Sequence, residues 1–352
     1  PVAERASLHF SEDIRRFVRA YAGVIPRHAL VEMLESCMAV GLTTIVTSVI
    51  ELLFEWAETG EIRRKSEQQP PPLFVDCSQG TDRRLRALSE QSMDDFLRRS
   101  ERFPVVLMAL RLLDYGARYD PKIRRLDLPT RPYATQWLNL LGELLHQRRQ
   151  EAAPIMYDFG RKAQELAERL EEDYPEAAKL LKDDRAEPNP VWRLAEAIVS
   201  LQGRGKTQKH LINMLYSVLH TDRPNGLARR RSVVRVEVSG SAGKRREARS
   251  LVFTDTVLDY LVHLAVLPPG NQKGVRLLSF KSFLRHLRER YGFCIDVAPP
   301  GMTISNDLLQ ANRAVLERRL RDLGLLVSVS DAEAMKHLQP RFELPEENHG
   351  LD

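Results

Sequence analysis

Residues 203–207, Gly-Arg-Gly-Lys-Thr, have the residue types that hold a phosphate group in nucleotide-binding proteins. A Walker loop has the pattern G-x-x-x-x-G-K-[ST], which places its first glycine at position 200, where this chain has Ser200. Such a loop also follows a buried strand, whereas residues 191–201 have helical spacing. The sequence therefore disfavours a nucleotide site. An enzyme that uses Lys206 and Thr207 is kept as a third functional hypothesis.

The same residues also suit a turn between two helices. Gly203 and Gly205 are predicted to end one helix, and Thr207 is predicted to cap the next. Cations and backbone N–H groups at a helix N-terminus favour an anion, such as a nucleic-acid phosphate. The candidate phosphate contacts are Arg204, Lys206 and Lys209. A solvated basic turn without a ligand is the open alternative.

The densest positive charge lies between residues 223 and 249, where nine Lys and Arg residues stand against two acids, Glu237 and Glu247. Alternating residues on both sides of Ser-Gly-Ser-Ala-Gly predict a β-hairpin over residues 232–253. Neutralisation of phosphates by such a cluster gives sequence-independent affinity that falls steeply with salt. The candidate nucleic-acid contacts are Arg229, Arg230, Arg231, Arg235, Lys244, Arg245, Arg246 and Arg249. A solvated charged face is the competing interpretation.

The C-terminal part resembles the second half of a winged-helix domain. Residues 277–342 read as helix, loop, helix, a strand "LLVSVS", a turn "DAEA" and a returning segment "MKHLQPRF". The resemblance implies a recognition helix in the major groove and a two-stranded wing near phosphate. Further candidate nucleic-acid contacts on that helix are Arg313, Arg318, Arg319 and Arg321. A winged helix that contacts protein instead is the alternative.

Two longer segments resemble helical accessory proteins encoded in bacterial anti-phage defence operons, of the methylation- or phosphorothioation-associated kind. The segments are "IPRHALVEMLESCMAVGLTTI" at residues 25–45 and the stretch from "LRERYGFCIDV" to "MKHLQPRF" at residues 287–342. This resemblance implies a non-enzymatic subunit that works beside separate nuclease, helicase or methylase partners.

Common catalytic patterns do not occur in the chain. There is no H-E-x-x-H, G-x-S-x-G or G-x-G-x-x-G, and no two histidines stand four residues apart. A nuclease of the PD-(D/E)xK type needs a lysine two residues after its strand acid, but Ser239 stands there after Glu237. We therefore expect no enzyme activity, no metal and no cofactor.

The composition is that of a soluble globular protein, with 352 residues of which 43% are hydrophobic and 29% charged, and a net charge of +5. Cys37, Cys77 and Cys294 form neither a disulfide framework nor a C-x-x-C pair, which fits a reducing cytoplasm. Polar residues interrupt the longest apolar stretch, residues 40–54, which is too short to span a bilayer. We expect a cytoplasmic location and no membrane contact.

The elements that must position these residues are mostly helices. Apolar spacing predicts one helix from Ser11, a second ending at Gly41 and a third from Thr43 or Thr44. Helix, glycine turn and helix is also the outline of a helix-turn-helix DNA reader. A plain helical hairpin is favoured, because the third helix has no basic residue before Ile62.

The predicted fold is mainly α, with a multi-helical N-terminal part and a small α+β, winged-helix-like C-terminal domain. The expected organisation is an N-terminal helical domain (1–62), a linker or loop with one extended piece "LFVDC" (63–92), a central helical domain (93–221) and a basic hairpin plus winged-helix-like domain (222–352). The favoured function is a non-enzymatic nucleic-acid-binding subunit, with DNA preferred, in a larger bacterial protein complex. The alternative is a protein-only scaffold that holds nuclease or helicase partners.

Overall fold

The computed structural model describes residues 1–119, 134–234, 245–269, 274–328 and 336–344. The chain forms two compact units, each assembled from separated segments. The helical unit contains residues Pro1–Glu4, Val49–Gln68 and Arg98–Met214. The sheet unit contains Arg5–Ser48, Gln69–Leu97 and Leu215–Asp352.

Helices dominate the described residues, which confirms the mainly α prediction. They are α1 (Glu4–Tyr21), α2 (Arg27–Thr59), α3 (Arg83–Arg99), α4 (Phe103–Tyr119), α5 (Ala134–Leu145), α6 (Ala152–Leu170), α7 (Pro175–Lys182), α8 (Pro190–Gln202), α9 (Arg204–Val218), α10 (Asp255–Ala265), α11 (Phe280–Tyr291) and α12 (Asn306–Asp322). A short 3₁₀ turn, Ser100–Arg102, joins α3 to α4.

The N-terminal glycine turn predicted from the sequence is wrong. Helix α2 continues through Gly41 without a break, so the helix-turn-helix and the hairpin break at this point are both absent. Gly41 is required by packing, because a Cβ atom there would overlap the ring of Phe10. Helix α1 also begins earlier than expected, at Glu4, and Ser11 lies inside it, where its hydroxyl accepts a hydrogen bond from Arg15.

Helix α2 is longer and more apolar than the sequence prediction allowed. By length and composition it is the one helix among the described residues that could cross a bilayer. Of its most apolar 18-residue window, 61% is buried inside the protein, as is also found for core helices of globular proteins.

The helical unit is built on close helix contacts. Helix α4 packs against α8 and α5, while α6, α7 and α8 pack against one another. The Trp56 indole N–H donates a 2.7 Å hydrogen bond to the Leu138 carbonyl. A Cβ atom on Gly142 would overlap the carbonyl oxygen of Gly60, so the backbones of α5 and the end of α2 approach closely because this residue has no side chain.

A four-stranded mixed sheet forms the centre of the sheet unit. Its strands are β1 (Leu73–Asp76), β2 (Ala228–Val234), β3 (Arg245–Val252) and β5 (Phe293–Cys294), in the order β2-β3-β1-β5. Strand β1 pairs in parallel with both β3 and β5, whereas β2 and β3 are antiparallel. The extended piece "LFVDC" is therefore a buried central strand, and the hairpin predicted over residues 232–253 is present with β2 starting at Ala228.

A second, three-stranded sheet lies in the C-terminal part. Its strands are β4 (Leu278–Ser279), β6 (Leu326–Ser328) and β7 (Lys336–Leu338), in the order β4-β7-β6. Both pairings are antiparallel, and Leu338 stands opposite Leu278 on one side and Leu326 on the other. The predicted return of the chain beside the strand after α12 is thus present, while the turn "DAEA" lies outside the described residues.

Candidate nucleic-acid interface

Strands β2 and β3 carry six of the basic residues predicted to contact nucleic acid. The antiparallel register places Arg230 opposite Arg249 and Arg229 opposite Ser250. Arg245 and Arg246 begin β3, and only their backbone is described. Arg235 and Lys244 lie outside the described residues. The hairpin therefore presents two directly opposed guanidinium groups, which repel each other unless an acid lies between them.

Glu247 is that acid. Its carboxylate lies 3.5 Å from Arg230 and 2.9 Å from Arg249, and it accepts a 3.2 Å hydrogen bond from the Tyr216 hydroxyl. The Arg249 guanidinium also lies over the Tyr216 ring, 4.3 Å from its centre. Burial lowers the pKa of Arg249, and the charge of Asp94 acts in the opposite direction. Arg249 is thus a packed residue that links β3 to α9.

A turn at Asp222 occupies the outer edge of β2 at its start. The Asp222 backbone N–H donates to the Ala228 carbonyl at 2.9 Å, and its carboxylate accepts a 2.9 Å hydrogen bond from the Arg230 backbone N–H. The same carboxylate lies 3.3 Å from the Arg230 guanidinium. Arg230 is therefore neutralised from two sides, by Asp222 and by Glu247.

Arg231 and Arg229, the other two arginines at the start of the hairpin, differ in whether a carboxylate neutralises them. Arg231 binds the carboxylate of Glu90 on α3 through contacts of 2.9–3.2 Å. Arg229 is partly exposed and has no ion pair among the described residues. Of this arginine run, Arg229 alone has its charge unneutralised by a carboxylate within the described part of the chain.

Helix α12 also uses some of its arginines inside the protein. Arg319 donates to the Cys77 carbonyl at 2.9 Å and pairs with Asp255 at 2.5 Å, with 16% of its side chain exposed. Arg313 lies over the Phe280 ring, and Arg321 pairs with Glu317 one turn before it. Arg318 is exposed and has no ion pair in the described part of the chain. Arg318 is therefore the α12 cation most accessible to a ligand.

The Gly-Arg-Gly-Lys-Thr segment is the start of helix α9. Gly203 ends α8 with a positive φ of 87°, and α9 begins at Arg204. The predicted break at Gly205 and cap at Thr207 are wrong, because both residues lie in the first turn, where the Thr207 hydroxyl donates to the Arg204 carbonyl at 2.9 Å. Since a helix precedes the segment, these residues do not form a Walker loop.

Of the basic residues in this segment, one is neutralised. Arg204 pairs with Glu196 at 2.9 Å, whereas Lys206 and Lys209 are exposed without an ion pair in the described ranges. The two lysines belong to the helical unit, and the hairpin and α12 arginines belong to the sheet unit.

The sequence identified the cations but not the distant groups that hold several of them. Glu90, Tyr216 and Asp255 neutralise or pack against the predicted arginines, and none lies near its partner in sequence; Glu90 and Arg231 are 141 residues apart. No local pattern could have revealed these pairs. Across the described residues, no group of three or more His, Cys, Asp or Glu side chains is placed to hold a metal ion.

The comparison with known families decides the identity. Residues 1–342 match the family described as Methylation-associated defense system protein MAD7. The chain belongs to this family. It is thus a component of a methylation-associated defence system, as the resemblance of its segments implied, and such membership implies work within a multi-subunit complex. No curated protein and no solved structure matches the chain.

Proposed function

We propose that this chain is a non-enzymatic, cytoplasmic subunit that binds nucleic acid, with duplex DNA preferred, within its defence complex. The observation that carries the proposal is the outward face of α12, which is polar and bears an unneutralised cation. Asn312, Leu316 and Leu320 point into the sheet unit. The exposed residues on the opposite side include Asp307, Gln310, Ala314, Arg318 and Arg321.

The order of elements in the C-terminal part supports a winged-helix role for α12. The chain runs α10, β4, α11, β5, α12, β6 and β7, where β5 belongs to the four-stranded sheet, and the strand order β4-β7-β6 of the other sheet puts the last strand in the middle. In winged helices the helix before the two final strands enters the major groove, and the strands approach phosphate. Gln310, Arg318 and Arg321 have side chains of the types that contact bases and phosphates.

The proposal is tested by the anisotropy of a labelled random-sequence duplex across a salt series. We expect the logarithm of affinity to fall linearly with the logarithm of salt, with a slope of about −0.9 for each neutralised phosphate. Arg229→Ala and Arg318→Ala should each weaken binding to all sequences alike and reduce the slope by about 1. A wild-type chain that does not bind duplex at low salt would refute the proposal.

A matched control for these variants is Arg161→Ala. Arg161 is an exposed arginine on α6 that pairs with Asp158 and Glu165. Its removal deletes the same charge as the test variants but should leave the slope unchanged. If all three variants lose duplex affinity equally, net charge alone determines binding and the assigned contacts are wrong.

Replacing Glu247 with Ala should strengthen duplex binding. The change removes a negative charge from the hairpin and so raises the positive potential around Arg230 and Arg249, while Arg230 stays paired with Asp222 and Arg249 stays packed against Tyr216. Because the Glu247 side chain is 48% exposed, the loss of its ion pairs should cost less than about 1 kcal/mol of unfolding free energy. The measurement is the same anisotropy series, accompanied by a urea unfolding curve. If a stably folded Glu247→Ala protein binds duplex more weakly than wild type, the hairpin is not the nucleic-acid contact.

A protein-only scaffold is the second candidate function. It is favoured by the neutralisation of Arg204, Arg230, Arg231, Arg319 and Arg321 by carboxylates of the same chain. A scaffold would retain stoichiometric partner subunits after nuclease treatment and would show no salt-dependent affinity for duplex. The proposed nucleic-acid subunit shows that affinity as a purified chain.

A further inference from the structure

Helix α4 exposes a continuous row of large side chains at four-residue spacing. The row contains Leu107, Arg111, Tyr115 and Tyr119, so it follows α4 for about 18 Å at 1.5 Å per residue and turns around the helix axis by roughly 120° over that length. Leu107 is 42% exposed, Tyr115 62% and Tyr119 63%. Arg111 is exposed and has no ion pair in the ranges that the structure describes. We call these four residues the α4 stripe.

The stripe is held on a firmly packed helix. The opposite side of α4 buries Val106, Ala109 and Leu113, and α4 packs against α8 and α5. Asp114 accepts a 2.7 Å hydrogen bond from the Trp137 indole N–H of α5 and pairs with Arg118 at 2.9 Å. Because these contacts fix the rotation of α4, the exposed row is a preformed surface.

Helix α6 of the same unit shows what an ordinary exposed face looks like. Its one strongly exposed aromatic residue, Tyr157, is 76% exposed. The side chains around it are charged and paired, with Asp158 bound to both Arg161 and Lys162. Single exposed apolar residues of this kind are normal on protein surfaces. The α4 stripe differs because three large apolar or aromatic side chains and an unpaired arginine are aligned.

We propose that the α4 stripe binds an amphipathic helix of another protein subunit of the defence complex, with a partner carboxylate against Arg111 and apolar side chains against Leu107, Tyr115 and Tyr119. A row of side chains at four-residue spacing is a ridge that can pack into the groove between side-chain rows of another helix. Tyrosine and arginine are the residues most often found at energetically dominant interface positions. The proposal rests on the part of the proposed function that makes this chain a complex subunit.

The geometry of the α4 stripe favours a protein ligand over a nucleic acid. The Tyr115 and Tyr119 rings contact each other, with centres 5.0 Å apart and planes at 57°, so they do not form parallel platforms between which bases would stack. Arg118 is already paired with Asp114, which leaves Arg111 as the unneutralised cation in the row. A single cation suits one carboxylate better than it suits a run of phosphates.

The test is co-expression of the tagged full chain with the other proteins of its defence system, followed by nuclease treatment and affinity purification. The test variants are Tyr115→Ala combined with Tyr119→Ala, and Arg111→Glu alone. Tyr157→Ala is the matched control, since it removes an even more exposed tyrosine from a charged face. Thermal unfolding by circular dichroism checks that each variant is folded. A photo-crosslinker at position 107 identifies the bound segment.

We expect a defined subunit to co-purify with the wild-type chain and with Tyr157→Ala. Its yield per tagged chain should fall about tenfold or more in both test variants, and the crosslink should map to a helix with an acidic residue. Unchanged yields in the folded test variants would overturn the proposal, as would the absence of any co-purifying subunit. A crosslink to a second copy of this chain or to nucleic acid would also overturn it.

The duplex affinity of the purified double variant separates this proposal from the proposed function. We expect it to equal that of the wild-type chain. Loss of the partner with normal duplex binding supports the α4 stripe alone. If the wild-type chain retains the partner subunit but does not bind duplex, only the nucleic-acid assignment is refuted.

Discussion

Replacing Asn312 with Leu is expected to lower the free energy of unfolding by about 3–5 kcal/mol, because it leaves buried backbone groups without partners. The Asn312 side chain is fully buried on the inner side of α12. Its amide oxygen accepts a 3.0 Å hydrogen bond from the Cys77 backbone N–H, and its amide nitrogen donates to the Val75 and Ile295 carbonyls at 2.9 and 3.1 Å. One side chain thus fastens α12 to the ends of β1 and β5. Urea unfolding monitored by circular dichroism measures the loss.

Two further variants make this prediction specific. Gln310→Leu, on the exposed side of the same helix, should change the unfolding free energy by less than about 0.5 kcal/mol. Asn312→Asp keeps the shape and the acceptor but cannot donate to the two carbonyls when ionised, so it should destabilise as strongly as Leu. A change below 1 kcal/mol for Asn312→Leu would contradict the proposed fastening of α12.

Asn312 also shows where sequence reasoning succeeds and where it stops. The sequence predicted α12 as the second helix of residues 277–342, because helical spacing depends on neighbours along the chain. The partners of Asn312 lie up to 237 residues away, so nothing in the local pattern distinguishes it from an ordinary polar residue of the helix. The central position of β1 was missed for the same reason, since its strand neighbours come from distant parts of the chain.

The error at Gly41 has a tertiary cause as well. Glycine usually weakens a helix, and the sequence therefore predicted a break. In the fold the absence of a side chain admits the Phe10 ring against α2, and this packing outweighs the local preference. The candidate interface follows the same division: the arginines and the local acids Glu247 and Glu317 stand near one another in the sequence, whereas the distant carboxylates Glu90 and Asp255 could not be predicted.

Acid is expected to destabilise the sheet unit through His263. This fully buried residue forms a 2.7 Å hydrogen bond between its Nδ1 and the Asp259 carbonyl, and its Nε2 accepts a 3.1 Å hydrogen bond from the Phe342 backbone N–H. Burial lowers the pKa of His263 from 6.5 to about 4. The unfolded chain therefore takes up the proton first, and stability present above pH 6.5 is lost as the pH falls toward 4. The loss amounts to about 3 kcal/mol for this one group.

The measurement compares unfolding free energies of wild type and His263→Gln at several pH values between 7 and 4. The variant should be less stable at pH 7 but should lose less stability on acidification. The comparison of the two curves is needed because Asp259 changes the free energy of unfolding in the opposite direction. Burial raises the pKa of Asp259 to about 6, so its contribution to stability increases as the pH falls from 6 to 4. His28→Gln, at an exposed site at the start of α2, is the control. Parallel curves for wild type and His263→Gln would rule out this role.

Protonation of Nε2 would also remove the acceptor for the Phe342 N–H. The C-terminal residues around Phe342 should consequently exchange their amide hydrogens faster at pH 4, where His263 is partly protonated, than at pH 7, after correction for intrinsic rates, while amides of the central sheet remain protected.

The Asp222 turn has a consequence for how copies of this protein behave at high concentration. An exposed strand edge offers unpaired N–H and C=O groups to any neighbouring chain and is a common starting point for aggregation. Strand β2 is an edge strand, but Asp222 already occupies its Ala228 carbonyl and its Arg230 N–H. Addition of a foreign strand at this end of β2 would first have to displace that turn, so the hairpin can remain basic and accessible without serving as a template for aggregation.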